Sequence, residues 1–97
     1  MLRPRQLARI GTFHMHEAIL DVLEEHYEEG HGLGAAEISR RLGVWRIGPP
    51  LNDAIVTGYL LELESQKRAE RVPQADNRGG WRLTAEEHER RRDDIAG

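Results

Sequence analysis

With no cysteine in the 97-residue chain, its five histidines and its carboxylates are the side chains able to hold a metal ion. His14 and His16 flank Met15, and Glu17, His26 and His31 lie close by in sequence. Helical residues two apart point in different directions, so only His14 and Glu17, three apart, share a face. Two ligands fall short of the three or four of a zinc site. The histidines therefore read as surface or partly buried groups, with no metal and no cofactor expected. No Gly-x-Ser-x-Gly, His-Glu-x-x-His or phosphate-cradling glycine loop occurs. The Gly32-Leu-Gly34 pair precedes a helix without following a strand, so it reads as a turn. The chain is not expected to be an enzyme. The remaining chemistry belongs to arginine. Arg40, Arg41, Arg46, Arg78 and Arg82 can neutralise phosphates in a salt-dependent way, or simply form an ordinary solvated surface.

The elements that must position these residues follow from periodicity. Residues 1–12 read as a basic flexible arm, broken by Pro4 and Gly11 and carrying Arg3, Arg5 and Arg9. Met15, Ile19, Val22, Leu23 and Tyr27 recur at helical spacing and predict a first helix over about 13–29. Thr12 is its expected N-cap, and Gly30 its C-cap. The segment 31–34 reads as a loop. A short second helix, about 35–42, buries Ala35, Ile38 and Leu42 and stops at Gly43. A helix, a glycine turn and a further helix form the helix-turn-helix signature.

Gly48 and Pro49 do not suit a helix interior, whereas Pro50 suits a first helical position. The third helix is therefore expected over about 50–67. Leu51, Ile55, Val56, Tyr59, Leu60 and Leu63 form its core side. Ala54, Thr57, Gly58, Leu61, Ser65 and Arg68 face the other way. A two-residue period then appears in 71–73 and 81–83, around the turn-rich stretch 74–80, and predicts a hairpin. Thr84 to Glu87 reads as a capping box opening a last helix over about 85–94. That helix carries Glu86–Arg90 and Glu87–Arg91 pairs and almost no apolar face. Trp81 is expected to pack under the hairpin. Trp45 either caps the core between the second and third helices or stands exposed as an interface anchor.

A chain of this length makes one domain with one modest core. The net charge of −3 is unevenly spread. Residues 14–30 hold six carboxylates and no Lys or Arg, and they read as a solvated helix face. No apolar run approaches the ~20 residues that cross a bilayer, and no secretory h-region is visible. A reducing, cytoplasmic setting suits the absence of cysteine.

The order of helix, short helix, turn, helix, two-stranded hairpin and helix resembles the winged helix-turn-helix superfamily. Ala-Ala-Glu-Ile-Ser-Arg-Arg-Leu-Gly-Val, 35–44, looks like the family's second helix and turn. Tyr59-Leu-Leu-Glu-Leu-Glu64 looks like the end of its recognition helix, and Gly80-Trp-Arg-Leu-Thr84 like its second wing strand. The chain is most similar to PadR- and MarR-type transcription regulators. It departs from them in carrying Lys67-Arg68 where a glycine is usual, in a turn before the third helix lengthened by residues 45–49, and in a long C-terminal dimerisation helix that is absent or stunted.

The resemblance implies a mainly α fold with a small β-hairpin (α+β). The domain spans 13–84, and a helix and tail span 85–97. It also implies a dimeric regulator of transcription that binds double-stranded DNA, with the third helix in the major groove and the wing on the backbone. Arg40, Arg41, Arg46, Arg78 and Arg82 would then meet phosphates, with Asn52 and Thr57 as base readers. Arg68 is the one long donor on the outer face. The rest of that face is small and uncharged, which equally suits a protein-interaction module built on Trp45, Leu61 and their neighbours.

Overall fold

The computed structural model describes residues 4–43 and 49–96, with side chains for 11–43 and 54–93. Helix α1 runs Pro4–His26, well ahead of the expected start near residue 13. Proline lacks an amide hydrogen, but amides in a first turn have no intrahelical acceptor anyway, so Pro4 opens the helix instead of breaking it. Gly11 and Thr12 lie inside α1, and the expected arm is helical from Pro4 onward. The helix tightens into a 3-10 turn over Tyr27–Glu29 and ends at Gly30, whose φ of 81° is a left-handed cap.

Helix α2 (Ala35–Leu42) is closed by Gly43 at φ 74°. Helix α3 (Pro49–Ser65) also starts on a proline, one residue earlier than expected. It ends in a Schellman motif: the Arg68 amide donates to the Leu63 carbonyl (2.9 Å), and the Lys67 amide to Glu64 (3.0 Å). Lys67 occupies the left-handed position at φ 60°, where glycine is the usual residue. The helix thus stops short of the expected residue 67.

Strands β1 (Ala69–Arg71) and β2 (Trp81–Leu83) pair antiparallel, Ala69 opposite Leu83 and Arg71 opposite Trp81. The hairpin begins two residues earlier than its alternation suggested. Pro73 has no amide for the ladder, while Ala69 fills a small buried site facing Leu83. Leu33, expected in a plain loop, adds a third backbone partner. Leu33 and Trp81 exchange two hydrogen bonds of 2.8 Å. Gly32 passes so close to the hairpin that a Cβ there would lie 2.1 Å from the Val72 carbonyl oxygen.

The core gathers Ile19, Leu20 and Leu23 of α1, Ile38 of α2, Val56, Leu60 and Leu63 of α3, and Trp81 and Leu83 of β2. Trp81 is buried beneath the hairpin as expected. Ile55, assigned to the core side, is instead 39 % exposed. At ~100° per residue it sits at the margin of the stripe centred on Val56, Leu60 and Leu63. The architecture is mainly helical with one two-stranded antiparallel hairpin, an α+β arrangement. Among the described residues, no helix is long and apolar enough to cross a membrane.

Helix α4 (Ala85–Ala96) docks differently. Among its described side chains the one that is buried is a carboxylate, Glu87. Half of the expected capping box forms: the Glu87 amide donates to Thr84 Oγ1 at 3.1 Å. The Glu87 carboxylate turns away from the Thr84 amide and accepts hydrogen bonds from Arg68 (2.7 Å) and Arg90. Arg91 pairs with Glu17, Asp21 and Glu24 on α1 rather than with Glu87. These three acidic residues are therefore an arginine receptor and not a plain solvated face.

Candidate nucleic-acid interface

An open groove of about 680 Å³ lies where α2, α3 and the hairpin tip meet. Each wall follows from local chemistry. Gly34 ends an extended segment at the N-cap of α2, and its space is closed by the side chain of Gln74. Gln74 Nε2 in turn donates to the Gly79 carbonyl at 2.7 Å and fastens the base of the tip. The tip turns at Asn77, which takes a left-handed φ of 69°, a conformation asparagine tolerates well.

Three of the expected phosphate and base contacts meet in this groove: Arg40 from α2, Thr57 from α3 and Arg78 from the tip. The two guanidinium side chains are open to solvent, Arg40 at 73 % and Arg78 at 82 %. Each is paired with a neighbouring carboxylate, Arg40 with Glu37 and Arg78 with Asp76 at 3.5 Å. Arg41 also reaches Glu37, at 3.0 Å. The two groove cations are thus offset by two anions. Exposed pairs of this kind contribute about 0–1 kcal/mol, so a phosphate can displace either carboxylate at little cost.

Other expected contacts are drawn elsewhere. Arg68 was assigned to the outer face of the third helix. It follows the left-handed Lys67, leaves the helix path, and donates to Glu87 and, at 3.2 Å, to Glu17. Burial acts to lower the Arg68 pKa, but the hydrogen bonds it donates to Glu87 and Glu17 outweigh this and raise the pKa above the ordinary value. Arg82 lies with its guanidinium carbon 4.0 Å from the Tyr27 ring centroid and donates to the Tyr27 carbonyl at 3.0 Å. Both side chains serve the packing of α1 against the hairpin and α4. Trp45 and Arg46 lie outside the described residues. So does the Asn52 side chain, whose backbone belongs to the first turn of α3.

The outward face of α3 keeps the expected character. Ala54, Gly58, Leu61 and Ser65 are exposed, Leu61 at 44 %, and no residue from 54 to 61 is charged.

The histidines fall into places that composition alone did not mark. His16 is buried and shares a 2.7 Å hydrogen bond with Glu62 between α1 and α3. His26 and His31 meet edge to face, ring centroids 4.7 Å apart, and His31 lines the groove. A helix end followed by a left-handed glycine was visible in the sequence. That the turn folds His31 back onto His26 was not. Among the described residues no three His, Asp or Glu side chains converge as metal ligands. The chain matches no protein-family model and no curated protein by sequence.

Proposed function

We propose that the chain is a winged helix-turn-helix DNA-binding protein, acting as a dimeric transcription regulator in the cytoplasm. In this reading α3 enters the major groove and the hairpin is the wing on the phosphate backbone. One observation carries it: Arg40, Thr57 and Arg78, from three separate elements, line a single open groove. Arg40 and Arg78 would exchange their carboxylates for phosphates, and the Thr57 methyl is suited to a thymine methyl. The offsetting Glu37 and Asp76 and the few long donors on α3 imply modest affinity and shallow sequence discrimination. Titration of random duplex DNA at two salt concentrations tests it. Binding is expected at low salt and is weakened by added salt; no salt-sensitive binding at low salt overturns it.

A second reading is a protein-interaction module without DNA binding. The exposed Ile55 and Leu61, in a stretch of α3 that carries no charge from 54 to 61, favour it. Leu61→Glu separates the two. A module that uses this face loses self-association or partner binding, whereas phosphate contacts through Arg40 and Arg78 leave a measurable nonspecific DNA affinity.

A further inference from the structure

We infer that anion binding in the groove is coupled to proton uptake by the His26–His31 pair, so that nucleic acid is held more tightly as pH falls. This rests on the reading of the groove as a nucleic-acid surface and adds a mode of control to it.

The geometry places one member of the pair, His31, in the lining of the groove together with Arg40 and Glu37. His26 is the last residue of α1, and Gly30, in its left-handed conformation, returns the chain so that His31 packs on His26 at 4.7 Å and 78°. Nε2 of His26 is buried, with no hydrogen-bond partner among the described residues. Arg41 and Glu37 of α2 and Glu29 of the 3-10 turn act on the same imidazole. Burial first, then His31 and Arg41, lower the His26 pKa from its ordinary value, against the weaker pull of Glu29 and Glu37.

Glu37 is the link. Its carboxylate is shared by Arg40 and Arg41. When Arg40 swings to a phosphate, Glu37 loses one of its two counter-ions. Negative charge then faces His26 and His31 both from Glu37 and from the bound anion. An imidazolium in the pair replaces the departed guanidinium, and the proton comes from solvent. By linkage, a site that gains a proton on binding must bind more tightly where protons are plentiful. Histidine is the side chain whose ordinary titration spans pH 5 to 8.

The experiment measures affinity for random duplex DNA at pH 7.5 and pH 5.5 at fixed ionic strength. Wild-type protein is compared with His31→Gln and with the double variant His26→Gln/His31→Gln. The wild type is expected to tighten by about tenfold at the lower pH, the effect of roughly half a proton taken up per binding event, averaged across the roughly two pH units. The double variant is expected to change less than about twofold under the same linkage.

A histidine NMR titration of the wild type, with and without duplex, is independent of how well the variants fold. The His26 midpoint is expected to rise on adding DNA. A pH-independent wild-type affinity, or a midpoint that does not move, overturns the coupling and leaves DNA binding standing. A pH dependence that survives in the double variant overturns the role of this pair. Failure to bind duplex at either pH overturns the coupling together with the reading of the groove.

Discussion

Two sets of arginines divide this molecule. Arg40 and Arg78 border the groove, largely in water, each beside one carboxylate from its own element. Arg68 and Arg91 lie in the seam between α1 and α4, exposed by 22 % and 14 %. Each seam guanidinium spans carboxylates brought from distant parts of the chain. Arg68 joins Glu17 to Glu87, and Arg91 joins Glu17, Asp21 and Glu24. The residue type is the same, and the surroundings decide its use. In the groove an ion pair is nearly neutral in free energy and can be exchanged for a phosphate. In the seam several ion pairs share partly buried partners, and removing one member strands the others.

The strongest test of this contrast is Arg91→Ala. It takes their arginine from Asp21 and Glu24 and leaves Glu17 to Arg68 alone, and is expected to destabilise the fold by about 2 kcal/mol. That is less than for a fully enclosed pair, because Glu17 and Asp21 keep contact with solvent. Urea unfolding measures it, and an unchanged midpoint would show that the seam carries no weight.

Acid should act on the seam next. Burial pushes the Glu87 carboxyl up, but hydrogen bonds from Arg68 and Arg90 overcome this and hold it below its usual value of 4.5. A carboxylate depressed by folding stabilises fully above the unfolded-state pKa, and that stabilisation fades as pH falls through the folded one. Glu87→Gln should therefore lower stability at pH 7 and flatten the loss below about pH 4.5, the ordinary glutamate range. Thermal melts across pH 3 to 7 decide it.

A smaller effect, of opposite sign, is expected at the junction that aims Arg68 into the seam. Lys67 holds a left-handed backbone that glycine adopts without steric cost, so Lys67→Gly should stabilise by about 1 kcal/mol. A loss of stability would mean that the Lys67 side chain contributes more than its backbone strain. In the groove, Arg40→Ala and Arg78→Ala should each change stability by no more than about 0.5 kcal/mol. Each should nonetheless lower the salt dependence of duplex binding by about one phosphate contact. A clear fall in melting temperature for either would erase the distinction between the two sets.

Much of the scaffold was legible in the sequence because it follows from short-range rules. Val56, Leu60 and Leu63 repeat at helical spacing and are buried, Gly30 and Gly43 close their helices, and Trp81 sits beneath the hairpin. Helix periodicity reports which face turns inward, but not what is packed against the other faces. The carboxylates of residues 17–24 show that spacing and read as a solvated face, because their partner Arg91 is 67 to 74 positions away. Glu87 offered the capping-box pattern, and a buried pairing with Arg68 took its carboxylate instead. Arg68 itself counted as a helical residue until the left-handed Lys67 redirected it. Of the candidate site, Arg40, Thr57 and Arg78 converge, whereas Arg68 and Arg82 are spent on packing. The His26–His31 contact depends on a turn geometry that no local pattern specifies.

The close approach of Gly32 to the hairpin has a consequence for how this protein can change. Gly32 donates to the Pro73 carbonyl, and Gly80 abuts Val72 and Gly32, so the base of the hairpin is gripped main chain to main chain. Residues 75–78 project beyond that grip and stand in solvent. The grip leaves the tip free to vary in length and charge, whether by natural drift or by grafting a new loop, while the scaffold beneath keeps its shape. The tip's share of whatever this surface recognises can thus be rewritten at four positions without refolding the rest.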